Sequence, residues 1–154
     1  MNTKTSYFLL SVLVFHFISC ATLKPTENTV QKQVEDIYSA TWKLVSVKLS
    51  PTENEIIPPI DRITIRFNRE GNFSGYGGCN NFNGKFEIID YNQLIITDLF
   101  ATRRGCEISA IEISVIRALN EVDEFLIVGD KLFLKKGSEV LLSYTVENYH
   151  SEQG

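Results

Sequence analysis

The chain has 154 residues, of which 44% are hydrophobic and 22% charged, enough for one globular domain with some chain to spare. Its formal net charge is −4, and its 15 Lys and Arg are scattered among 19 Asp and Glu, which leaves no basic patch for nucleic acid. Arg103-Arg104 and Lys135-Lys136 are the only adjacent basic pairs, and both read as solvated loop charges.

The first segment differs from the rest. Lys4 precedes an apolar run from Tyr7 to Ile18, YFLLSVLVFHFI. Twelve residues are too few to span a bilayer as a helix, which needs about 20. The run fits the apolar region of a secretory signal peptide. Phe17-Ile-Ser-Cys20 follows, a small residue directly before a cysteine, and resembles a bacterial lipobox. On that reading residues 1–19 are removed and Cys20 carries a lipid that holds the protein to a membrane; the competing reading is an ordinary cleaved signal. No aspartate follows Cys20, so outer-membrane placement in the cell envelope is expected.

Cleavage takes away Lys4 and no acidic group, which moves the net charge from −4 to −5. It also takes away His16 and leaves His150, in the polar tail 148–154, as the one histidine. A Ser-His-Asp or Cys-His arrangement needs an imidazole held beside its nucleophile. Zinc and other transition-metal sites also lean on His and Cys clusters. The sequence therefore points to no catalytic residue, metal site or cofactor.

Residues 20–40 are polar up to Val34 and read as a flexible tether between lipid and domain. From Thr41 the chain reads as short strands. Trp42 to Leu49 is the first, and prolines at 51, 58 and 59 break it. Arg62 to Phe67 alternates, with Ile63, Ile65 and Phe67 on one face and Arg62, Thr64 and Arg66 on the other. Asn68 to Gly71 is a turn, and Asn72 to Tyr76 the returning strand.

Next comes GYGGCNNFNGKF, residues 75–86, with four glycines and three asparagines. A phosphate loop requires G-x-x-x-x-G-K-[ST], but Phe86 follows Lys85 and Gly78 lies six residues before Gly84. A dinucleotide loop fails because position 80 is Asn and strand sequence follows. The residues share tolerance of positive φ and local hydrogen bonding, so the stretch reads as a tight turn that places Cys79.

Lys85 to Ile89 and Gln93 to Thr97 flank a turn at Asp90-Tyr-Asn92. Glu107 to Asn120 breaks the strand pattern: Ile108, Ile111, Val115, Ala118 and Leu119 share one face of a helix. Ser109 and Glu112 have capping-box spacing at its start. Phe125 to Val128, Gly129-Asp130 and Lys131 to Lys135 make a hairpin, and Glu139 to Val146 closes the series. The pattern predicts about eight strands and one helix.

With Cys20 lipidated, Cys79 and Cys106 remain in an exported protein, where an oxidising compartment favours their pairing. Closing a loop of about 28 residues contributes roughly 3–4 kcal/mol in the chain-entropy model. Two buried free thiols or a redox pair are the alternatives, the latter without a C-x-x-C motif.

Trp42-Lys-Leu44, the Phe67 strand end, Gly75 to Gly84, Leu94-Ile-Ile96, Phe100 to Cys106 and Leu132-Phe-Leu134 occur in an order that resembles the META domain, the HslJ family of bacterial envelope proteins. The resemblance spans about 41–147. It implies a mainly β fold, a small antiparallel barrel-like structure with one helix against an open end. It also implies roles in heat-shock or antibiotic tolerance and no catalytic residues. A likeness of this fold to lipid-binding secretion pilotins adds an apolar ligand in the barrel as an alternative, beside an envelope protein partner. The matching positions are Cys79, Asn80, Phe82, Gly84, Thr102 and Cys106, read as architecture that also has the makings of a binding rim. An enzymatic alternative would rest on acidic pairs: Asp123 with Glu124, Glu107 with Glu112, and Glu87 with Asp90.

Overall fold

The computed structural model describes residues 27–48, 54–59, 62–102 and 109–147. The signal segment 1–19, Cys20, Cys106, Glu107 and the tail 148–154 lie outside the described residues. Among those described, two helices and eight strands run in the order α1 (Glu27–Tyr38), β1 (Thr41–Val47), β2 (Thr64–Phe67), β3 (Asn72–Tyr76), β4 (Asn81–Ile89), β5 (Gln93–Ala101), α2 (Ser109–Leu119), β6 (Glu124–Val128), β7 (Lys131–Lys136) and β8 (Glu139–Val146). Each strand pairs antiparallel with its sequence neighbour, and β1 pairs with β8 to close the barrel. The narrowest seam is β5 to β6, where Gln93 opposite Glu124 is the single registered pair.

Alternation decides which side chains fill the interior. Ile63, Ile65 and Phe67 are all buried, and Arg66 faces solvent, as the period of two requires. Trp42, Leu44, Phe73, Phe82, Leu94, Phe125, Leu132, Leu134, Leu142 and Tyr144 join them in one core cluster. An eight-stranded barrel is about wide enough for side chains to fill it. These aromatic and branched residues do so.

Within the expected tether over 20–40, the part Glu27–Tyr38 is instead the helix α1, and 20–26 lie outside the described residues. Val34, Ile37 and Tyr38 carry its apolar face: Ile37 is fully buried, and Val34 and Tyr38 pack against the core. The helix lies on β2 and β6. Trp42 Nε1 donates 3.1 Å to the Ile37 carbonyl, so the buried indole is satisfied only with the helix in place. Arg69, in the β2–β3 turn, pairs with Glu35 and stacks 5.6 Å over the Tyr38 ring. Water and salt screen exposed charges, so these contacts orient α1 more than they stabilise it.

The α2 helix agrees with the apolar stripe that predicts it. Val115, Ala118 and Leu119 are buried, and Ile111 packs against the core. It lies on β1 and β8 and meets the β3–β4 turn. Successive hairpins place the β2–β3 and β3–β4 turns at opposite ends of the barrel. The two helices therefore cover opposite ends.

Candidate functional site

The glycine-asparagine stretch is the first place to look for a site. Only Gly77 to Asn80 turns: Gly75 and Tyr76 end β3 and Asn81 onward is already β4, so most of the stretch read as a tight turn is strand. The Gly77 N–H donates 2.8 Å to the Asn80 carbonyl, and the Tyr76 hydroxyl donates 2.7 Å to the Gly78 carbonyl. Gly78 sits at φ +100°, a backbone that side-chain-bearing residues rarely adopt.

A carboxylate from α2 holds this turn. Glu112 is 7% exposed, and accepts 2.6 Å from the Asn80 backbone N–H and 2.7 Å from its side-chain Nδ2. The Asn80 Oδ1 in turn accepts 3.0 Å from the Thr102 hydroxyl, and the Thr102 N–H donates 3.0 Å to the Asn81 carbonyl. Glu112 thus turns inward to the β3–β4 turn, a partner that its spacing with Ser109 does not name. Charge-assisted bonds of this kind stabilise a buried carboxylate that would otherwise be costly to desolvate. A Cβ on Gly77 would lie 2.6 Å from the Glu112 carboxylate, so that glycine makes room for it.

Phe82 and Gly84 are core architecture. In register, Gly75 stands opposite Phe82 and Phe73 opposite Gly84, so each glycine seats the ring of the neighbouring strand. A Cβ at Gly75 would lie 2.3 Å from the Thr64 carbonyl, and one at Gly84 2.7 Å from the Phe73 ring. The rings of Phe82, Phe73, Phe67 and Phe86 then follow one another with centroids 6.4, 5.9 and 5.0 Å apart, and Tyr38 of α1 continues the row at 6.2 Å.

Asn80 and Thr102 are thus brought together, and Cys79 stands beside them, half-buried and not a free thiol. Of the acidic pairs, Glu107 with Glu112 is only half described, and the members of the other two are each engaged or exposed. Glu124 is paired with Lys135 at 2.9 Å, Asp123 accepts the Gly137 N–H at 2.8 Å, and Glu87 and Asp90 are exposed. Lys136 is tied to Glu121, whose hydrogen bond and negative charge raise the Lys136 pKa.

A second feature escapes the motif altogether. The outer face of β2–β5 carries a groove of about 950 Å³ lined by Arg66, Ser74, Asn83, Lys85, Asp98 and Phe100, among others. Its middle is one cross-strand row: Arg66 opposite Ser74, Ser74 opposite Asn83, Asn83 opposite Phe100. Phe100 is 61% exposed. Lys85 and Asp98 pair at 3.1 Å along one side.

A small closed antiparallel barrel, filled and capped at both ends, with a carboxylate-pinned glycine turn, defines a mainly β domain of compact type. The META domain family model matches residues 35–148, and the chain belongs to that family. Among solved structures, a protein from Burkholderia xenovorans shares the fold at a TM-score of 0.61 and 17% identity, covering 96% of this chain and 99% of that one. A DUF4847 family protein from Bacteroides vulgatus does so at 0.56 and 17%, covering 73% of this chain and 96% of its own. At these identities the likeness concerns the fold alone. No curated protein matches the chain.

Proposed function

We propose that this is a lipid-anchored accessory protein of the bacterial envelope, held at the outer membrane through Cys20 and acting by binding on its outer surface, not by catalysis. The observation that carries this reading is the filled interior: Trp42, Tyr144 and Phe67, Phe73, Phe82, Phe86 and Phe125 occupy the space an apolar ligand would need. A cleft among the described residues lies at the surface, on β2–β5. A lipid carrier with its ligand in the barrel has no such support, and an envelope partner or surface ligand replaces it. A small hydrolase is likewise unsupported, because the buried carboxylate of Glu112 is committed to Asn80. Any contribution to heat or antibiotic tolerance would follow from what the anchored domain binds.

The pairing of Cys79 with Cys106 belongs to the same proposal. Its support is that Cys79 is not a free thiol and that export places both cysteines in an oxidising compartment. The bond would tie the β3–β4 turn to the segment ahead of α2, beside the contact that Glu112 makes.

The anchor is tested by membrane fractionation of the full chain expressed in a Gram-negative host. Cys20→Ala should move the protein from the membrane to the soluble periplasmic fraction. Membrane retention of that variant would refute the anchor.

A further inference from the structure

The groove on β2–β5 exists because β5 carries one residue more than β4 opposite it. Asn83 faces Phe100 and Lys85 faces Thr97, so Gly84 alone stands against Asp98 and Leu99. Asp98 takes up the extra residue at φ +51°, in the left-handed region. The insertion reverses the alternation. Leu94 and Ile96 point inward, and an unbroken strand would turn Asp98 and Phe100 inward as well. With the bulge, Phe100 points out to solvent and completes the row begun by Arg66, Ser74 and Asn83.

The row spans four strands, about 14 Å at the usual interstrand spacing. It places a cation, a hydroxyl, an amide and an exposed aromatic ring in line. Arg66 takes part in none of the ion pairs among the described residues. With Arg66 and Lys85 against Asp98, the groove is locally positive on a chain whose net charge is −4.

The chemistry of the occupant follows. The backbone groups of β3 and β4 are committed to neighbouring strands, so an extended peptide cannot add as a further strand here. Recognition must come from side chains alone. An acyl chain would cover Arg66, Ser74 and Asn83 without satisfying them, which is unfavourable. A sugar suits the set: its ring face stacks on phenylalanine, its hydroxyl and acetamido groups bond to Asn and Ser, and a carboxylate pairs with the guanidinium.

We propose that the outer face of β2–β5 binds a short anionic glycan, with Phe100 stacking on a sugar ring, Asn83 and Ser74 bonding its polar groups, and Arg66 pairing its carboxylate. This deepens the surface-binding reading given above and rests on it.

The test is a titration of the full chain, solubilised in mild detergent and labelled for NMR. The probes are a tetrasaccharide of alternating N-acetylglucosamine and N-acetylmuramic acid, chitotetraose, which lacks the carboxylates, and tetra-aspartate. The acidic glycan should shift amides of β2–β5 selectively and bind more tightly than chitotetraose. Arg66→Gln and Phe100→Ala should each weaken it roughly tenfold or more, as the loss of an arginine or aromatic anchor does. Phe100→Tyr should keep binding, and all three variants should melt like the parent because both side chains are exposed.

Three results would overturn the assignment: no shifts at millimolar glycan, shifts indifferent to Arg66→Gln and Phe100→Ala, or the same shifts with tetra-aspartate alone. Fractionation of the same preparations reads the anchor separately. A chain that stays with the membrane yet binds no glycan refutes the glycan and leaves the anchored reading standing.

Discussion

Tyr144 shows how one atom shapes a residue's behaviour in this core. Its side chain is fully buried on β8, and its hydroxyl has no hydrogen-bond partner among the described residues. An unsatisfied buried hydroxyl costs about 1–3 kcal/mol, so Tyr144→Phe should hold or raise stability where most core changes lower it. Burial also pushes the Tyr144 pKa far above its ordinary value near 10. The unfolded chain ionises this phenol near pH 10 and the folded chain does not. Its contribution is therefore complete below that pH and is lost as pH rises, at about 1.4 kcal/mol per unit. Urea unfolding from about pH 8 to about pH 11 should show the parent losing stability faster than Tyr144→Phe, and equal slopes would contradict the burial. Glu112 makes the opposite case. Its two bonds from Asn80 satisfy it, so burial there joins two elements.

At the scale of elements, α1 matters most. Its sequence is polar enough to pass for a tether, yet Ile37 is fully buried and supplies the acceptor for Trp42 Nε1. Replacing a buried Ile by Ala costs about 2–5 kcal/mol. A chain beginning at Thr41 should therefore unfold at a markedly lower urea concentration than one beginning at Ala21, with Ile37→Ala in between. Equal midpoints would return α1 to the role of a spacer. The β5 bulge is the other informative element. The exposed Lys85–Asp98 pair is worth about 0–1 kcal/mol, too little to explain a left-handed aspartate. What the bulge changes is the side on which Phe100 stands.

For the whole molecule, closure rests on unequal seams. The β4–β5 hairpin is long, whereas β5 meets β6 through one registered pair. The turn contact of Glu112 and the proposed Cys79–Cys106 bond both reinforce the chain between β5 and β6. Maleimide labelling of the denatured protein without reductant should find neither cysteine, and Cys106→Ala should cost about 2–4 kcal/mol. Full labelling of both would remove the bond from this account.

The succession of strands, the inward set Ile63, Ile65 and Phe67, the α2 stripe and the motif around Asn80 and Phe82 are legible in the sequence. They depend on local period, turn chemistry and a family motif, all written in neighbouring residues. Three features required the tertiary structure. The docking of α1 against β2 and β6 is one: Val30, Val34, Ile37 and Tyr38 stand at helical spacing in the sequence, but in a polar segment packing supplies most helical stability. Glu112 finds Asn80 across 32 residues, a partner that no spacing rule names. The row from Arg66 to Phe100 exists only in register, since one extra residue in β5 reverses which side chains face water.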